Sequence, residues 1–339
     1  MAKLNDHIIS HKLANDLGLP ASTDPLGQIV RFCRDRVRVL IADFDGPKTP
    51  DAILGWLENK LRTRFVEIHQ DADLRQTIRD YASRGETIFK LLENEFESDT
   101  EGITLRLSYR ELWEPDFVSV IDCRKRRKLR RYHTKWHELA HLLVLTDQSR
   151  MTFRRTHNPQ EEKSIEEKIV DAIAGDLSFF EEFVGPLAEG EISFEKIDKL
   201  RLEMCPDSSH HSAALNISKQ WPTSCIWIKA ELAMRRHPLP DENPELRATQ
   251  VSQSPTARET GFSVIRQFRV PSQSVIHQVF HGRFDTDEAM EDLSWWESSS
   301  GTRLPSRSVR VQARKMGTGV HVLITPRGDA EASTRRRIA

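Results

Sequence analysis

Two histidines four residues apart, with a glutamate directly after the first, stand in Trp136-His137-Glu138-Leu139-Ala140-His141-Leu142-Leu143-Val144. On a helix, positions i and i+4 share one face about one turn apart, so both imidazoles can reach a single divalent metal ion. Glu138 points into the same cleft. It lies too far out to be a good ligand and is placed to take a proton from a metal-activated water. Trp136, Leu139, Ala140, Leu142, Leu143 and Val144 suit a helix buried in a core, the kind of supported element that metal sites need. A short motif of this kind also arises by chance, so a third ligand is the test, a carboxylate or imidazole on a second helix.

The chain supplies one. From Ser164 to Leu177, apolar residues at 165, 169, 172, 173 and 177 repeat with a helical period. Glu167 and Asp171 are again i and i+4. Glu167 completes a two-histidine, one-carboxylate site that leaves a position for water, and Asp171 can accept the remaining N–H of a ligand imidazole. The competing explanation is a solvated acidic helix face.

His137-Glu-Leu-Ala-His141 follows a strand ending Val118-Ser-Val-Ile-Asp122 and an arginine-rich approach, and precedes Glu167-x-x-x-Asp171-Ala-Ile-Ala-Gly175. In this combination the chain resembles the ImmA/IrrE family of bacterial metallo-endopeptidases over roughly residues 30–235. The family's second helix commonly reads Glu-x-x-Ala-Asn-x-Phe-Ala-Ala. Here Val170 replaces the alanine, Asp171 the asparagine and Ile173 the phenylalanine, and Asp171 restores the Glu-x-x-x-Asp form of thermolysin-like gluzincins. The resemblance implies a zincin-like fold and a narrow substrate, a helix-turn-helix transcriptional repressor whose cleavage releases stress-response or mobile-element genes.

The chain has 339 residues, 38% hydrophobic and 30% charged, with a net charge of −1. That is enough for two domains, and global charge points to neither a nucleic-acid nor a membrane partner. Cys33, Cys123, Cys205 and Cys225 are widely spaced, with no Cys-x-x-Cys pair, and read as reduced thiols of a cytosolic protein. Met1 to Ser10 lacks the apolar core of a signal peptide, and no apolar run approaches a membrane span. A cytoplasmic location is expected.

In chain order, residues 1–26 predict a helical lead-in and a turn, 26–40 and 49–61 predict helices, and 65–69 a strand. Residues 74–96 suggest a helical pair interrupted at Gly85. Strands are expected at 103–109 and 117–122, the second as the cleft's edge strand, able to hold an extended peptide by main-chain hydrogen bonds. The run from Arg124 to Arg131, basic except at Leu129, is either an electrostatic patch for acidic substrate or nucleic acid, or a solvated connection paired with the acidic 161–200 region. Tyr132, His133 and His157 are candidate hydrogen-bond donors to a developing oxyanion, without an assigned role. His210 and His211 diverge by about 100° on a helix and read as surface.

An amphipathic helix is expected at 192–202, then helices at 212–218 and 222–234, either a helix-turn-helix or an ordinary helical hairpin. The stretch 238–257 reads as a polar, proline-punctuated linker. Beyond it, strands at 262–270, 275–280, 309–313 and 320–324 and a capped helix at 285–296 form a small module, sensory, partner-binding or merely stabilising. Arg335 to Arg337 reads as a disordered tail.

The resulting expectation is an α+β protein. Residues 1–190 form a mainly helical peptidase domain with a small sheet, 191–237 a helical segment, 238–257 a linker and 258–330 a C-terminal α+β module. His137, His141 and Glu167 hold Zn²⁺, with Mn²⁺ as an alternative, Glu138 acts as general base, and Asp171 orients a ligand histidine. Two rivals remain: a non-catalytic regulator that binds a repressor or DNA, its metal site structural or silent, and a zinc hydrolase of a non-peptide substrate.

Overall fold

Asp24 and Thr49 each accept a hydrogen bond from the backbone N–H three residues on, at 3.0 and 3.4 Å, and each is followed by proline. A short polar cap with proline at the first helical position starts a helix cleanly, because it answers an orphan N–H and presets φ. In the computed structural model, which describes residues 2–97, 100–108, 110–124, 131–145, 152–156, 164–235 and 242–327, these caps open α2 (Pro25–Leu40) and α3 (Pro50–Lys60), after α1 (Ala2–Asp16).

The chain divides into two compact units, one of Met1–Phe180 with Met204–Ser209, the other of Glu181–Glu203 with His210–Ala339. The first continues with β1 (Thr63–Ile68), α4 (Asp71–Ser83), α5 (Leu91–Glu97), β2 (Thr100–Arg106), β3 (Phe117–Asp122), α6 (Arg131–Leu143), β4 (Thr152–Thr156) and α7 (Ile165–Leu177). Gly85, at φ +92°, separates α4 from the helical turns that follow, as its position suggested. The sheet order is β1-β3-β2-β4, with β3 parallel to β1 and antiparallel to β2, and β2 antiparallel to β4. α6 packs against α7 and against β2 and β3.

This order corrects the expectation for residues 117–122. They form an interior strand with neighbours on both sides, so their main-chain groups are already spent on the ladder. The run Phe117-Val-Ser-Val-Ile-Asp122 is buried throughout, as suits an interior strand rather than an edge.

The second unit contains α8 (Glu181–Val184), α9 (Phe194–Met204), whose last residue falls in the first unit, and α10 (His210–Gln220). β5 (Ile226–Ala233), β6 (Glu245–Gln253), α11 (Pro255–Glu259), α12 (Val275–Phe280), β7 (Thr286–Asp292), β8 (Ser308–Met316) and β9 (Gly319–Pro326) follow. Its antiparallel sheet has the order β6-β5-β9-β8-β7. Ile226, Ile228 and Ala230 of β5 join Val320, Val322 and Ile324 of β9 in a core with Val275, Ile276 and Val279 of α12. Trp227 of β5 and His321 of β9 lie together with His211 of α10. The protein is thus α+β, with a small sheet in each unit.

Five expectations are overturned in this unit. Residues 226–233 are a strand, so neither a helix-turn-helix nor a helical hairpin forms there. β5 starts as a run buried on both faces, which carries no period to distinguish it from a helix. The linker expected at 238–257 contains β6 and α11. Leu246 and Ala248 supply the core while polar neighbours disguise the strand, and residues 238–241 lie outside the described residues. Residues 275–280 are helical because Val275, Ile276 and Val279 follow helical rather than alternating spacing. Ser274 caps the helix, and Glu291 accepts from the N–H of Val275 at 2.7 Å. Residues 286–292 form the edge strand β7 instead of part of the helix expected at 285–296, and exposed Glu288 puts a charge on that edge, a common way of blunting it. Residues 262–270 bury Phe262, Val264, Phe268 and Val270 but form no named strand, with Gln267 at φ +74° turning the chain.

The four cysteines are all buried and unbridged. Among the described residues no helix is long and apolar enough to cross a membrane. Ile228 is fully buried on β5, an interior strand of the second sheet. Ile228→Ala is expected to lower stability by about 2–5 kcal/mol, read by thermal or urea denaturation.

Candidate metal centre

From Trp136 to Leu143 every residue of α6 is buried, His137, Glu138 and His141 included. Burial of so many polar groups on one helical turn is tolerated only where neighbouring elements supply partners. α7 supplies two. Ser164 caps it by accepting from the N–H of Glu167 at 3.2 Å, which fixes the first turn. Further along α7, Asp176 receives a double hydrogen bond from Arg34 of α2, at 3.0 and 2.6 Å. Held at both ends, α7 presents Glu167 and Asp171 one turn apart to the two histidines.

The distances are close. Nε2 of His137 lies 3.1 Å from one oxygen of Glu167, and Nε2 of His141 lies 3.3 Å from the other. Nδ1 of His137 faces Asp171 at 3.0 Å, and Nδ1 of His141 lies 3.9 Å from Glu166. Nitrogen and oxygen donors of His137, His141 and Glu167 all lie within 4.8 Å of one another. Burial alone would push the Glu167 carboxyl up, but with the two imidazoles protonated their hydrogen bonds and charge outweigh it and hold it at about 2.

The tautomer of His137 follows from its partners. An N–H on Nδ1 satisfies Asp171, which leaves Nε2 with a lone pair toward a carboxylate oxygen. Two acceptors 3.1 Å apart repel unless a proton or a cation lies between them. Two imidazoles and a carboxylate are the donor set of an open, three-ligand zinc site, so these residues fit such a metal.

Glu138 is answered by the sheet. Thr104 of β2 donates its hydroxyl to Oε2 at 2.6 Å, and Thr104 in turn lies 2.6 Å from Ser119 of β3. Oε1 has no hydrogen-bond partner among the described residues. It lies against Gly102 of β2, where an added Cβ would stand 2.9 Å from Oε1 and 2.7 Å from the methyl carbon of Thr134. The sequence alone does not single out Thr104, Ser119 or Gly102. A threonine and a serine in apolar strands carry no signal until strand register brings them together.

All five residues expected at the site, His137, Glu138, His141, Glu167 and Asp171, stand on the two expected helices, and four of them converge through their side-chain contacts. Glu138 is turned to Thr104. Tyr132 is committed elsewhere, its buried hydroxyl donating to the carbonyl of Ser178. His157 lies outside the described residues, as do 125–130 of the basic run. The two ends of that run are paired locally. Arg124 bonds Asp122 and Asp71, and Arg131 bonds Glu67 and Asp207. Of the histidine pair, His210 is exposed beside Asp198, but His211 is half-buried, with Nδ1 3.2 Å from Nε2 of His321. That corrects its reading as a surface residue.

A second group, Glu67, His69 and Cys123, also brings donors together. Glu67 is already neutralised by Lys135 at 2.5 Å and Arg131 at 3.0 Å, and burial pushes the Cys123 thiol up to about 12. Both features oppose a cation there. No protein-family model matches the chain, and no curated protein matches its sequence.

Gly102→Ala would ordinarily stabilise a strand by restricting the unfolded chain. Here the contacts with Glu138 and Thr134 reverse the sign, and the substitution is expected to cost about 1–3 kcal/mol in a denaturation experiment.

Proposed function

We propose that this chain is a metal-dependent endopeptidase of the kind its sequence resembles, the ImmA/IrrE metallo-endopeptidases. The observation that carries the reading is the approach of His137 Nε2 and His141 Nε2 to the two oxygens of Glu167, while Asp171 holds the other nitrogen of His137. Three donors converge with an N–H-accepting carboxylate behind one of them, which is how metal-binding histidines are oriented.

His137, His141 and Glu167 would hold Zn²⁺, or Mn²⁺ in its place. A metal bound there would polarise a carbonyl and make a water acidic enough to act as nucleophile near neutral pH. Asp171 keeps His137 in the tautomer whose Nε2 lone pair faces the site. Glu138, the residue after His137, takes a proton from the attacking water and returns it to the leaving amine. The burial of Glu138, His137 and His141 keeps bulk water from competing for these groups. We infer that the substrate is a helix-turn-helix transcriptional repressor cleaved in the cytoplasm to release stress or mobile-element genes.

The test is cleavage of a repressor encoded beside the gene, with bound metal measured by elemental analysis. Wild type and Glu138→Gln should each carry about one metal per chain. Wild type should cleave, and Glu138→Gln should be slower by about 10²–10⁴-fold. Glu167→Ala should lose the metal. Chelation should stop cleavage, and added Zn²⁺ should restore it. Cleavage by Glu138→Gln at the wild-type rate would remove the assigned base. A wild type without metal would remove the peptidase reading and leave a binding protein.

A further inference from the structure

The hydroxyl behind Glu138 is not alone. Thr104 lies 2.6 Å from Ser119, and Ser119 lies 3.3 Å from Thr63. The three come from three neighbouring strands, β2, β3 and β1, and each is buried, at 0%, 0% and 4% exposure. Thr104 and Ser119 are direct partners across the ladder, and Ser119 pairs with Phe65 on its other side, two residues from Thr63 and so on the same face.

Proton counting gives the chain a direction. Thr104 donates its single hydroxyl proton to Oε2 of Glu138 at 2.6 Å. Its contact with Ser119 must then be donated by Ser119. With that proton used, the longer and weaker contact with Thr63 must be donated by Thr63. All three protons point toward Oε2. A proton placed on Oε2 would deprive Thr104 of its acceptor or force the hydroxyls to reverse together. Oε1 carries no such commitment among the described residues, and the missing Cβ at Gly102 leaves room beside it.

We propose that Thr104, backed by Ser119 and Thr63, is a positioning residue that pins Oε2 of Glu138 and leaves Oε1 as the oxygen that handles the proton. This rests on the endopeptidase reading, in which Glu138 is the base. One hydroxyl would suffice to occupy Oε2. The additional hydroxyls restrict the turning of Thr104 and so the roll of the carboxylate about its last torsion, a broad one when nothing holds it. The hydroxyl chain therefore acts on the orientation of Glu138, whereas Asp171 acts on that of His137.

The test uses the full-length protein with Co²⁺ as the metal probe and acetohydroxamate as the ligand, followed through the visible cobalt spectrum. A hydroxamate chelates the metal and shares its proton with the neighbouring carboxylate, so its affinity reports where that carboxylate points. Thr104→Val and Glu138→Gln should each keep cobalt and bind the hydroxamate at least about tenfold more weakly, as expected for a charge-assisted hydrogen bond. Thr104→Ser should restore binding to within about threefold of wild type. Ser119→Ala should weaken it by about threefold, and it carries the test if Thr104→Val does not fold. Wild-type affinity in folded, cobalt-loaded Thr104→Val, or in Ser119→Ala should Thr104→Val not fold, would overturn the positioning role and leave the endopeptidase reading standing. Failure of the wild type itself to take up cobalt would instead remove both.

Discussion

A carboxylate and two imidazoles buried on consecutive turns of one helix set the terms for the first unit. Removing such groups from water costs several kcal/mol each unless partners replace the lost hydration. The neighbouring sheet and α7 are placed to do so. Thr104 answers Glu138 from the sheet, Glu167 faces both histidines, and Asp171 takes the far nitrogen of His137. The partners are themselves held. Ser164 fixes the turn that carries Glu167, Arg34 ties α7 to α2, and the ladder between β2 and β3 sets Thr104 opposite Ser119. Loss of any one of these anchors would strand a polar group in an apolar interior.

The same arrangement separates two tasks. The α7 side carries the negative charge that would hold a cation, with the Glu167 carboxyl kept at about 2 by the histidines it faces. On the sheet side the described groups that reach Glu138 are neutral hydroxyls, which add no charge beside it. A cation on the sheet side would compete for the carboxylate that has to accept a proton. The nearest equivalent in the unit, Glu67 with Lys135 and Arg131, shows what such pairing does, since that carboxylate is fully engaged in ion pairs.

The helical part of the site was legible in the sequence because its information is local. His137 and His141, and Glu167 and Asp171, are pairs at i and i+4, and helical geometry alone puts each pair on one face. The hydroxyl chain was not legible, since Thr63, Thr104 and Ser119 meet only through the register of three strands distant in sequence. In the second unit β8 and β9 are legible, at 309–313 and 320–324. The other elements are not. β5 is buried on both faces and loses its alternation, β6 hides its core residues among polar ones, and the i, i+1, i+4 spacing of Val275, Ile276 and Val279 was too short a run to identify a helix. Proline-rich and polar composition reads as a linker where tertiary pairing makes a strand.

The most direct measurement is anomalous scattering from crystals of the wild-type protein grown with Zn²⁺. The account predicts one strong zinc peak at about 2.0–2.2 Å from Nε2 of His137, Nε2 of His141 and a carboxylate oxygen of Glu167, with Asp171 still on Nδ1 of His137. No peak among these three residues, or a peak whose ligands omit Glu167, would contradict it.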